Sequence, residues 1–248
     1  MIFISIVSHG HFDLIKRIGC LDKFKGSFNV TVFVRDNVGE VGLSEWCNAA
    51  NFHYYVNDYP RGFGENNNLN FFGCRYSVDT ADDFFLVLNP DVDVTESAIL
   101  SLALEMANKK AKLGTINLFL DDDFSMPDPC VRNFPGLWDF ASSFLLGVNN
   151  SVVDKTSLVG DTFVDWAAGS FLMFKPDVYF HLGGFDEGYF MYLEDVDICK
   201  RYNTEYGGKV LFCKNLLGTH YSQLQSRSFF SKHFFWHFKS VLRYLIKS

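Results

Sequence analysis

A group of acidic side chains at residues 194–197 lies at the start of a predicted helix. The aromatic run at residues 189–193 before it indicates a short buried strand or an extended segment. The helix is expected to end near Tyr206, because Gly207-Gly208 is a common C-terminal signal. The carboxylates should therefore lie in the first turn of a helix.

Asp195 is the member of this group whose position suggests chemistry. At spacings of three and four it shares a helical face with Ile198, Cys199, Tyr202 and Tyr206. Apolar residues mark that face as inward, so Asp195 is predicted to face inward. Such a carboxylate can cap the helix by accepting backbone N–H groups, or act as a general base at the edge of a cleft. On another face, Asp197, Arg201 and Glu205 are expected to pair with each other in water.

A second pair of carboxylates, Asp91 and Asp93, follows a predicted strand. Two carboxylates at this spacing can approach one oxygen-preferring divalent cation, and such a cation can bridge a diphosphate. His220 could complete the coordination with an imidazole nitrogen. The alternatives are a polar turn at Asn89-Pro90-Asp91 and a histidine satisfied by local hydrogen bonds.

The stretch Gly62–Asn68 reads as a glycine- and asparagine-rich loop that opens a helix. It has neither the Walker lysine nor the G-x-G-x-x-G spacing, so it is not a P-loop or a dinucleotide site. Its amides could bind a sugar or a base, or it could be an ordinary helix-capping loop. Asp121–Asp123 is interpreted as a solvated acidic loop without a catalytic role.

Strands and helices alternate around these residues. Apolar or β-branched runs predict strands at residues 2–7, 29–34, 52–56, 84–88 and 209–213, and helices are expected at residues 13–24, 43–50, 95–110 and 175–181. This alternation predicts an α/β fold with a mainly parallel sheet and helices on both faces. Ligands of such sheets bind at the carboxyl ends of the strands, where Ser8, Asp36 and Asp91 are placed.

Composition fits one large domain, since 248 residues with 48% hydrophobic content can bury a substantial core. Six scattered cysteines without a C-x-x-C motif favour reduced thiols in a cytoplasmic protein. The N-terminus does not resemble a signal sequence, and no apolar run approaches the roughly 18–20 residues of a membrane span. The net charge is −7, but no acidic residue follows Glu205 and seven cations do, which we interpret as the sign of a partner.

The last part of the chain, residues 227–248, is basic and aromatic. As a helix it repeats apolar residues near three- and four-residue spacing, among them Phe230, Phe234, Trp236, Val241 and Tyr244. It could pack on the domain with its cations in solvent. Alternatively it could lie on an anionic membrane surface, with aromatics in the headgroup boundary and cations on the lipid.

The order of short motifs resembles the inverting family 2 glycosyltransferases with the GT-A fold, most closely their bacterial rhamnosyltransferase-like branch. The matching stretches are Ser5-Ile6-Val7-Ser8, Val34-Arg35-Asp36-Asn37, Gly62-Phe63-Gly64-Glu65-Asn66-Asn67, Leu88-Asn89-Pro90-Asp91-Val92-Asp93, Asp165-Trp166-Ala167-Ala168-Gly169-Ser170, Gly183-Gly184-Phe185-Asp186-Glu187, Phe190-Met191-Tyr192-Leu193-Glu194-Asp195-Val196-Asp197 and Gly218-Thr219-His220. Together they extend over nearly the whole chain. Arg35 and Tyr221-Ser222-Gln223 depart from the common form of the family.

The resemblance implies a role for each matching residue. Asp195 would be the base that deprotonates the acceptor hydroxyl, and Asp91, Asp93 and His220 would hold Mn²⁺ or Mg²⁺. Donor-binding residues would be Ser8, Asp36, Gly62, Phe63, Asn66, Asn67 and Asp91, and acceptor-binding residues Trp166, Gly169 and Glu194. The GT-A domain would span residues 1–226, with a nucleotide-sugar half at about 1–113 and an acceptor half at about 114–226, followed by the helix at 227–248.

The implied reaction is inverting transfer of a sugar from a nucleotide-sugar to a bacterial surface glycan, with a lipid-linked glycan as one candidate acceptor. dTDP-rhamnose is the first candidate donor, and UDP-hexoses or UDP-galactofuranose are alternatives. The enzyme would be cytoplasmic, with a peripheral position at the inner face of the cell membrane as an alternative. A non-catalytic sugar- or nucleotide-binding domain is a rival hypothesis, which the joint presence of Asp93, Asp195 and His220 argues against.

Two other classes fit the sequence less well. A nucleotidyltransferase would carry a basic glycine-rich loop after its first strand, whereas Ser8-His9-Gly10-His11 contains no lysine or arginine. A nucleic-acid partner is not expected, because the chain before the basic tail is strongly acidic.

Overall fold

The fold is seen in a computed structural model that describes residues 1–75, 77, 82–136, 138–139, 151–221 and 232–247. Its helices are α1 (Phe12–Ile18), α2 (Leu43–Ala49), α3 (Phe63–Cys74), α4 (Glu96–Asn108), α5 (Pro176–His181), α6 (Glu194–Tyr206) and α7 (Lys232–Lys247). Its strands are β1 (Ile2–Ser8), β2 (Val30–Asp36), β3 (His53–Val56), β4 (Phe84–Leu88), β5 (Val92–Asp93), β6 (Leu113–Phe119), β7 (Val131–Arg132), β8 (Thr162–Val164), β9 (Trp166–Ala167), β10 (Phe171–Phe174) and β11 (Val210–His220).

The central sheet has the order β3-β2-β1-β4-β10-β6-β11-β5, and β8 joins it beside β11. Strands β3, β2, β1 and β4 are mutually parallel. Strand β10 runs antiparallel to both β4 and β6, while β6 and β11 are parallel. The α/β architecture is confirmed. The sheet is mixed: β1 to β4 form one parallel block, and β6 and β11 form a second parallel pair.

Continuous apolar runs place β1 and β4 at the centre of this sheet, where Ile4, Ile6, Leu86 and Val87 are fully buried. The carboxyl end of β4 leads into Asp91, and β5 then pairs antiparallel with the end of β11, which brings Val92 opposite His220. A small second sheet, β7 with β9, lies beside the start of α6. These connections bring the predicted site residues to one edge of the fold.

The aromatic run at residues 189–193 does not form a strand, so the strand alternative was wrong. Tyr192 and Leu193 both have left-handed backbone conformations, with φ of 73° and 69°, which an extended strand cannot contain. The chain turns sharply there and enters α6 at Glu194.

The prediction of a loop at Gly62–Asn68 was also wrong, because α3 already begins at Phe63. The helix expected from Asp13 to Phe24 is divided into α1 and a short 3₁₀ turn at Asp22–Phe24. Strand β11 continues to His220 rather than ending near Cys213. All six cysteines are free and buried, which agrees with reduced thiols.

On α6 the predicted face of Asp195 is only partly correct. Ile198, Cys199 and Tyr202 are buried, whereas Tyr206 is exposed. Asp197 pairs with Arg201 at 2.7 Å as predicted, but it does so inside the protein, with only 5% of its surface exposed. Helix α7 covers it, and that contact is not visible in the periodicity of α6.

Helix α7 packs on the domain through Ser240, Val241 and Tyr244, which are buried. In the described part of the chain, no helix combines the length and apolar character needed to cross a bilayer. Residues 227–231 and 248 of the predicted tail, including Arg227 and Phe230, lie outside the described residues.

Candidate active site

Asp195 is the second residue of α6, and its carboxylate is half-buried. Its Oδ2 atom accepts a hydrogen bond from the Gly169 N–H at 3.1 Å, and its Oδ1 atom accepts one from the Val196 N–H at 2.8 Å. The N-cap position is taken by Leu193, which offers no side-chain cap. Asp195 is therefore not the N-cap residue, although it accepts one first-turn N–H, and it also faces a different segment of the chain at Gly169.

Gly169 allows this approach because it has no side chain. A Cβ atom there would lie 3.0 Å from Cε1 of Phe63 and 3.7 Å from Cβ of Asp195. Trp166, three residues earlier, is buried and donates its Nε1–H to the Asn133 carbonyl at 2.9 Å. Gly169 therefore lies between the ring of Phe63 and the side chain of Asp195, and the acceptor-binding roles of Trp166 and Gly169 stay predictions.

Glu194 and Asp195 form an electrostatically coupled pair. Burial, and then the charge of Asp195, raise the pKa of Glu194 well above its ordinary value. Burial also raises the pKa of Asp195, but the N–H groups of Gly169 and Val196 favour its ionised form. Since Oε2 of Glu194 is buried without a hydrogen-bond partner, Glu194 is the member that retains a proton and Asp195 the one that ionises.

Of the three predicted metal ligands, Asp91 and His220 lie side by side, and Asp93 is held by another partner. His220 Nε2 lies 3.4 Å from Oδ1 of Asp91, and that buried oxygen has no hydrogen-bond partner. Asp93 instead forms an ion pair with Lys23. Within the described ranges, no three His, Cys, Asp or Glu side chains are grouped closely enough to hold a metal ion.

Asp128, which the sequence analysis did not identify, lies beside His220, as Asp91 does. Its Oδ2 lies 2.6 Å from Nδ1 of His220 on the side away from Asp91. Burial lowers the pKa of His220, but the hydrogen bond that its ring donates to Asp128 and the close approach of Asp91 outweigh burial and raise the pKa to about 9. A hint lay in Pro127-Asp128-Pro129, because a residue before proline is held extended and out of a helix.

At the ends of β1 and β2, Ser8 and Asp36 organise two loops. The Ser8 hydroxyl donates to Glu40, whose carboxylate accepts the N–H groups of Gly10 at 3.0 Å and Phe12 at 2.8 Å. The buried Asp36 carboxylate accepts the N–H groups of residues 38, 39 and 40 and the hydroxyl of Tyr54, at 2.6–3.1 Å. Asp36 therefore shapes the loop, and its contact with a nucleotide base stays a prediction.

Asn66 and Asn67 are fully buried within α3. Asn66 donates to the Gly62 carbonyl at 2.9 Å and accepts from Asn57 at 2.6 Å, while Asn67 accepts from Ser5 at 2.6 Å. Their amides therefore tie α3 to the sheet, which corrects the expectation of amides offered by a loop. Direct donor contacts of Asn66 and Asn67 stay untested.

The three groups of residues are neighbours at one edge of the sheet. His11 lies close enough to Asp91 for the carboxylate to oppose the lowering of the histidine's pKa by burial. The Asn89 N–H donates to the Ser170 carbonyl at 2.9 Å, which joins the Asp91 turn to the Gly169 turn. The residues predicted to bind the donor, the metal and the acceptor proton therefore lie on neighbouring segments, and their roles stay predictions.

Comparison with known proteins gives concrete relatives. The chain is 38% identical over 253 residues to the rhamnosyltransferase WbbL of Escherichia coli K12, covering 100% of this chain and 93% of WbbL. It is 30% identical over 127 residues to the N-acetylglucosaminyl-diphospho-decaprenol L-rhamnosyltransferase of Mycobacterium tuberculosis H37Rv, covering 48% and 41% of the two chains. No family model matches the sequence.

Solved structures show the same fold at low identity. GalNAc-T7 with UDP, GalNAc and Mn²⁺ matches with a TM-score of 0.65 and 13% identity, over 91% of this chain and 44% of that one. The mannosyltransferase PcManGT of Pyrobaculum calidifontis, in complex with GDP-Man and Mn²⁺, matches with a TM-score of 0.59 and 12% identity, over 91% and 58%. This chain therefore spans about half of each solved chain.

Proposed function

Because the chain belongs to the rhamnosyltransferase-like branch of the family 2 glycosyltransferases and has their GT-A fold, we propose that it transfers L-rhamnose from dTDP-rhamnose with inversion. The acceptor in this proposal is a hydroxyl of a glycan carried on a polyprenyl diphosphate. The rhamnosyltransferase names of its relatives support the sugar, and the diphospho-decaprenol acceptor in one of those names supports the lipid-linked acceptor class. That the chain is a glycosyltransferase is the premise; the donor, acceptor and residue roles are the proposal.

The position of Asp195 is the observation that carries the mechanism. Its carboxylate lies at the edge of the sheet, is fixed by two N–H groups, and has a pKa raised by burial. A base with these properties accepts the proton of the acceptor hydroxyl as its oxygen attacks the anomeric carbon. The bond to the diphosphate breaks on the opposite side of that carbon, so no covalent enzyme intermediate is needed.

The leaving diphosphate needs stabilisation of its charge. Asp91 and His220 offer a carboxylate oxygen without a hydrogen-bond partner and an imidazole nitrogen, a donor set that suits Mn²⁺ or Mg²⁺. Because the pKa of His220 is raised to about 9, its ring would lose a proton when a cation binds there. Asp93 could join Asp91 and His220 by releasing Lys23. A divalent cation bound there would neutralise charge on the departing nucleoside diphosphate. Asp128 would hold the ring of His220 so that Nε2 remains available.

The test is transfer of labelled rhamnose from dTDP-rhamnose to a polyprenyl-diphosphate N-acetylglucosamine acceptor. Asp195→Asn is expected to lower kcat by about 10²–10⁴-fold while donor binding stays nearly intact. Glu205→Gln is the matched control, since Glu205 is an exposed carboxylate on the same helix. UDP-hexoses and UDP-galactofuranose in the donor panel separate the alternative donors.

Near wild-type turnover by a folded Asp195→Asn protein would remove Asp195 from the base role. Loss of folding in that variant, with activity in proportion to the folded fraction, would instead support a structural role for its hydrogen bonds to the Gly169 and Val196 N–H groups. Tight sugar binding by the wild type without transfer to any acceptor or hydrolysis of any donor would favour the binding-module hypothesis.

We also propose that the outer face of α7 lies on an anionic membrane surface. Phe235, Phe238, Leu242 and Ile246 recur at three- and four-residue spacing and are exposed, Phe235 by 60% and Ile246 by 84%. Exposed Lys232 and Lys239 lie on the same side of the helix. An apolar stripe flanked by cations fits the headgroup boundary, and it would bring the site to a lipid-linked acceptor.

The structure changes which tail residues carry this proposal. Trp236, Val241 and Tyr244, predicted for the apolar face, belong to the side that packs on the domain, and Arg243 and Lys247 pair with acidic residues there. Deleting the tail would therefore disturb both sides. The sharper variant is Phe235→Ser with Ile246→Ser, which changes only exposed side chains.

Vesicle sedimentation separates the two roles of the helix. The wild type is expected to pellet with phosphatidylglycerol vesicles at low salt and less at high salt, because each cation near the surface contributes about 1 kcal/mol. The double serine variant should stay in solution, while Phe28→Ser, at an exposed phenylalanine elsewhere, should behave as wild type. Equal pelleting with neutral and anionic lipid, or none at low salt, would leave only the packing role.

A further inference from the structure

The segment at residues 186–193 leads directly into the candidate base and is held from two sides. On one side, the Phe190 carbonyl accepts the Phe63 N–H at 3.0 Å, and Gly62 lies so close that a Cβ atom there would be 2.7 Å from that carbonyl oxygen. On the other side it is covered by α7. The segment ends in the left-handed pair Tyr192 and Leu193, two residues before Asp195.

Charged contacts connect α7 to both ends of this region. Arg243 donates to the Asp186 carboxylate with nitrogen–oxygen distances of 2.8–3.1 Å, and its guanidinium lies against Gly188. Lys247 bridges Asp186 at 2.6 Å and Asp197 at 2.9 Å. Since Asp197 is on α6, Lys247 links the start of the segment to the helix that carries Asp195.

Between these ends, α7 contacts the middle of the segment. The Ser240 hydroxyl donates to the Met191 carbonyl at 2.9 Å, and the rings of Trp236 and Phe190 lie 4.8 Å apart. The Tyr192 hydroxyl lies 2.9 Å from Nδ1 of His233. A segment with no helix or strand of its own therefore takes much of its shape from α7.

We propose that α7 is a brace that positions Asp195, with Arg243 and Ser240 as positioning residues. The left-handed turn at 192–193 is costly for residues with side chains, so it persists only where surrounding contacts fix it. Releasing the segment would displace the carboxylate from its place against Gly169, and a misplacement of about 1 Å can cost up to about a hundredfold in rate. The kinetic part rests on the proposed function, whereas the structural part does not.

The experiment compares Arg243→Gln, Arg243→Lys and the milder Ser240→Ala with wild type. With dTDP-rhamnose as donor, Arg243→Gln is expected to lower kcat by about 10- to 100-fold while the KM for donor changes by less than about twofold. Arg243→Lys should recover part of kcat because it keeps a cation beside Asp186. Arg17→Gln, at an exposed arginine on α1, should match wild type.

Hydrogen exchange measured by mass spectrometry provides the readout that does not need turnover. Peptides spanning 186–193 should exchange faster in Arg243→Gln and in Ser240→Ala, while the strands of the central sheet keep their protection. If the variants exchange faster than wild type at residues 186–193 but wild type transfers no sugar, the proposed function fails and the brace stands.

The brace is overturned if exchange of 186–193 is unchanged in both Arg243→Gln and Ser240→Ala. It is also overturned if kcat falls only in proportion to the folded fraction, or if the KM for donor rises as much as kcat falls. Should Arg243→Gln fail to fold, the Ser240→Ala result decides.

Discussion

The ion pairs of Asp186 allow a prediction of stability with a magnitude. Burial alone would raise the pKa of Asp186, but hydrogen bonds from Lys247, the Gly188 N–H and Arg243 outweigh it and lower the pKa to about 2. An unfolded aspartate has a pKa near 3.9. The folded state therefore favours the ionised carboxylate, and Asp186→Asn removes that preference.

The shift of nearly two pKa units corresponds to about 2.6 kcal/mol at most. The side chains of Arg243 and Lys247 are 40% and 39% exposed, so solvent screening reduces the figure. We expect Asp186→Asn to lower the free energy of unfolding at pH 7 by about 1–2 kcal/mol. Because the folded pKa is depressed, this contribution is complete above about pH 4 and is lost as pH falls toward about 2.

Urea unfolding of wild type and Asp186→Asn at a series of pH values between 7 and 3 measures the difference. It should shrink below about pH 4, and at pH 7 it should shrink in 1 M salt. The asparagine can still accept the Gly188 N–H, so the local turn is preserved. A difference that is the same at every pH would mean that packing, not charge, is responsible, and the ion-pair reasoning would be refuted.

Three further predictions concern the site itself. Burial raises the pKa of Glu194 above its unfolded value, so the folded state is most stable with respect to this group below about pH 4 and loses stability as pH rises and the carboxyl must ionise. In urea unfolding, Glu194→Gln should therefore be more stable than wild type at pH 8, and the difference should vanish near pH 4. Gly62→Ala should cost about 1–3 kcal/mol of stability, because its Cβ meets backbone of Phe190, whereas Gly73→Ala, whose nearest contact is 3.5 Å, should be tolerated. Calorimetry of dTDP binding with and without Mn²⁺ tests the metal site: Asp93→Ala and His220→Ala should lose the Mn²⁺-dependent gain in affinity. Asp128→Asn should weaken that gain about 10- to 100-fold, while Asp123→Asn, at an exposed acidic loop, should leave it unchanged. Unchanged metal dependence in Asp93→Ala and His220→Ala would remove both residues from the site.

Much of the fold could be predicted from local sequence. The apolar runs of β1, β2 and β4 specify strands that are buried on both faces, and the left-handed Gly207 ends α6 where expected. The start of α3 could not be predicted this way. Three asparagines suggest a loop by propensity, but Asn66 bonds with Asn57 after β3 and Asn67 with Ser5 on β1, contacts that only the tertiary structure provides.

The candidate site shows the same division. The spacing on α6 predicted that Asp195 faces inward, and its carboxylate is half-buried against Gly169. Asp128 was missed because it reaches His220 from a loop 92 residues away in sequence, through the pairing of β6 with β11. Lys23 was missed for a similar reason, since its partner Asp93 lies 70 residues further along the chain.

The uneven charge of the chain has a partly internal explanation. The sequence suggested that the basic tail meets an outside partner, yet Arg243 and Lys247 neutralise Asp186 and Asp197 within the fold. Among the described tail residues, Lys232 and Lys239 remain on the outer side beside the exposed apolar stripe. One face of α7 therefore pairs with acidic residues of the domain, and the other face is available to a membrane surface. A helix that lies on a membrane through its outer face could hold residues 186–193 in place through its inner face.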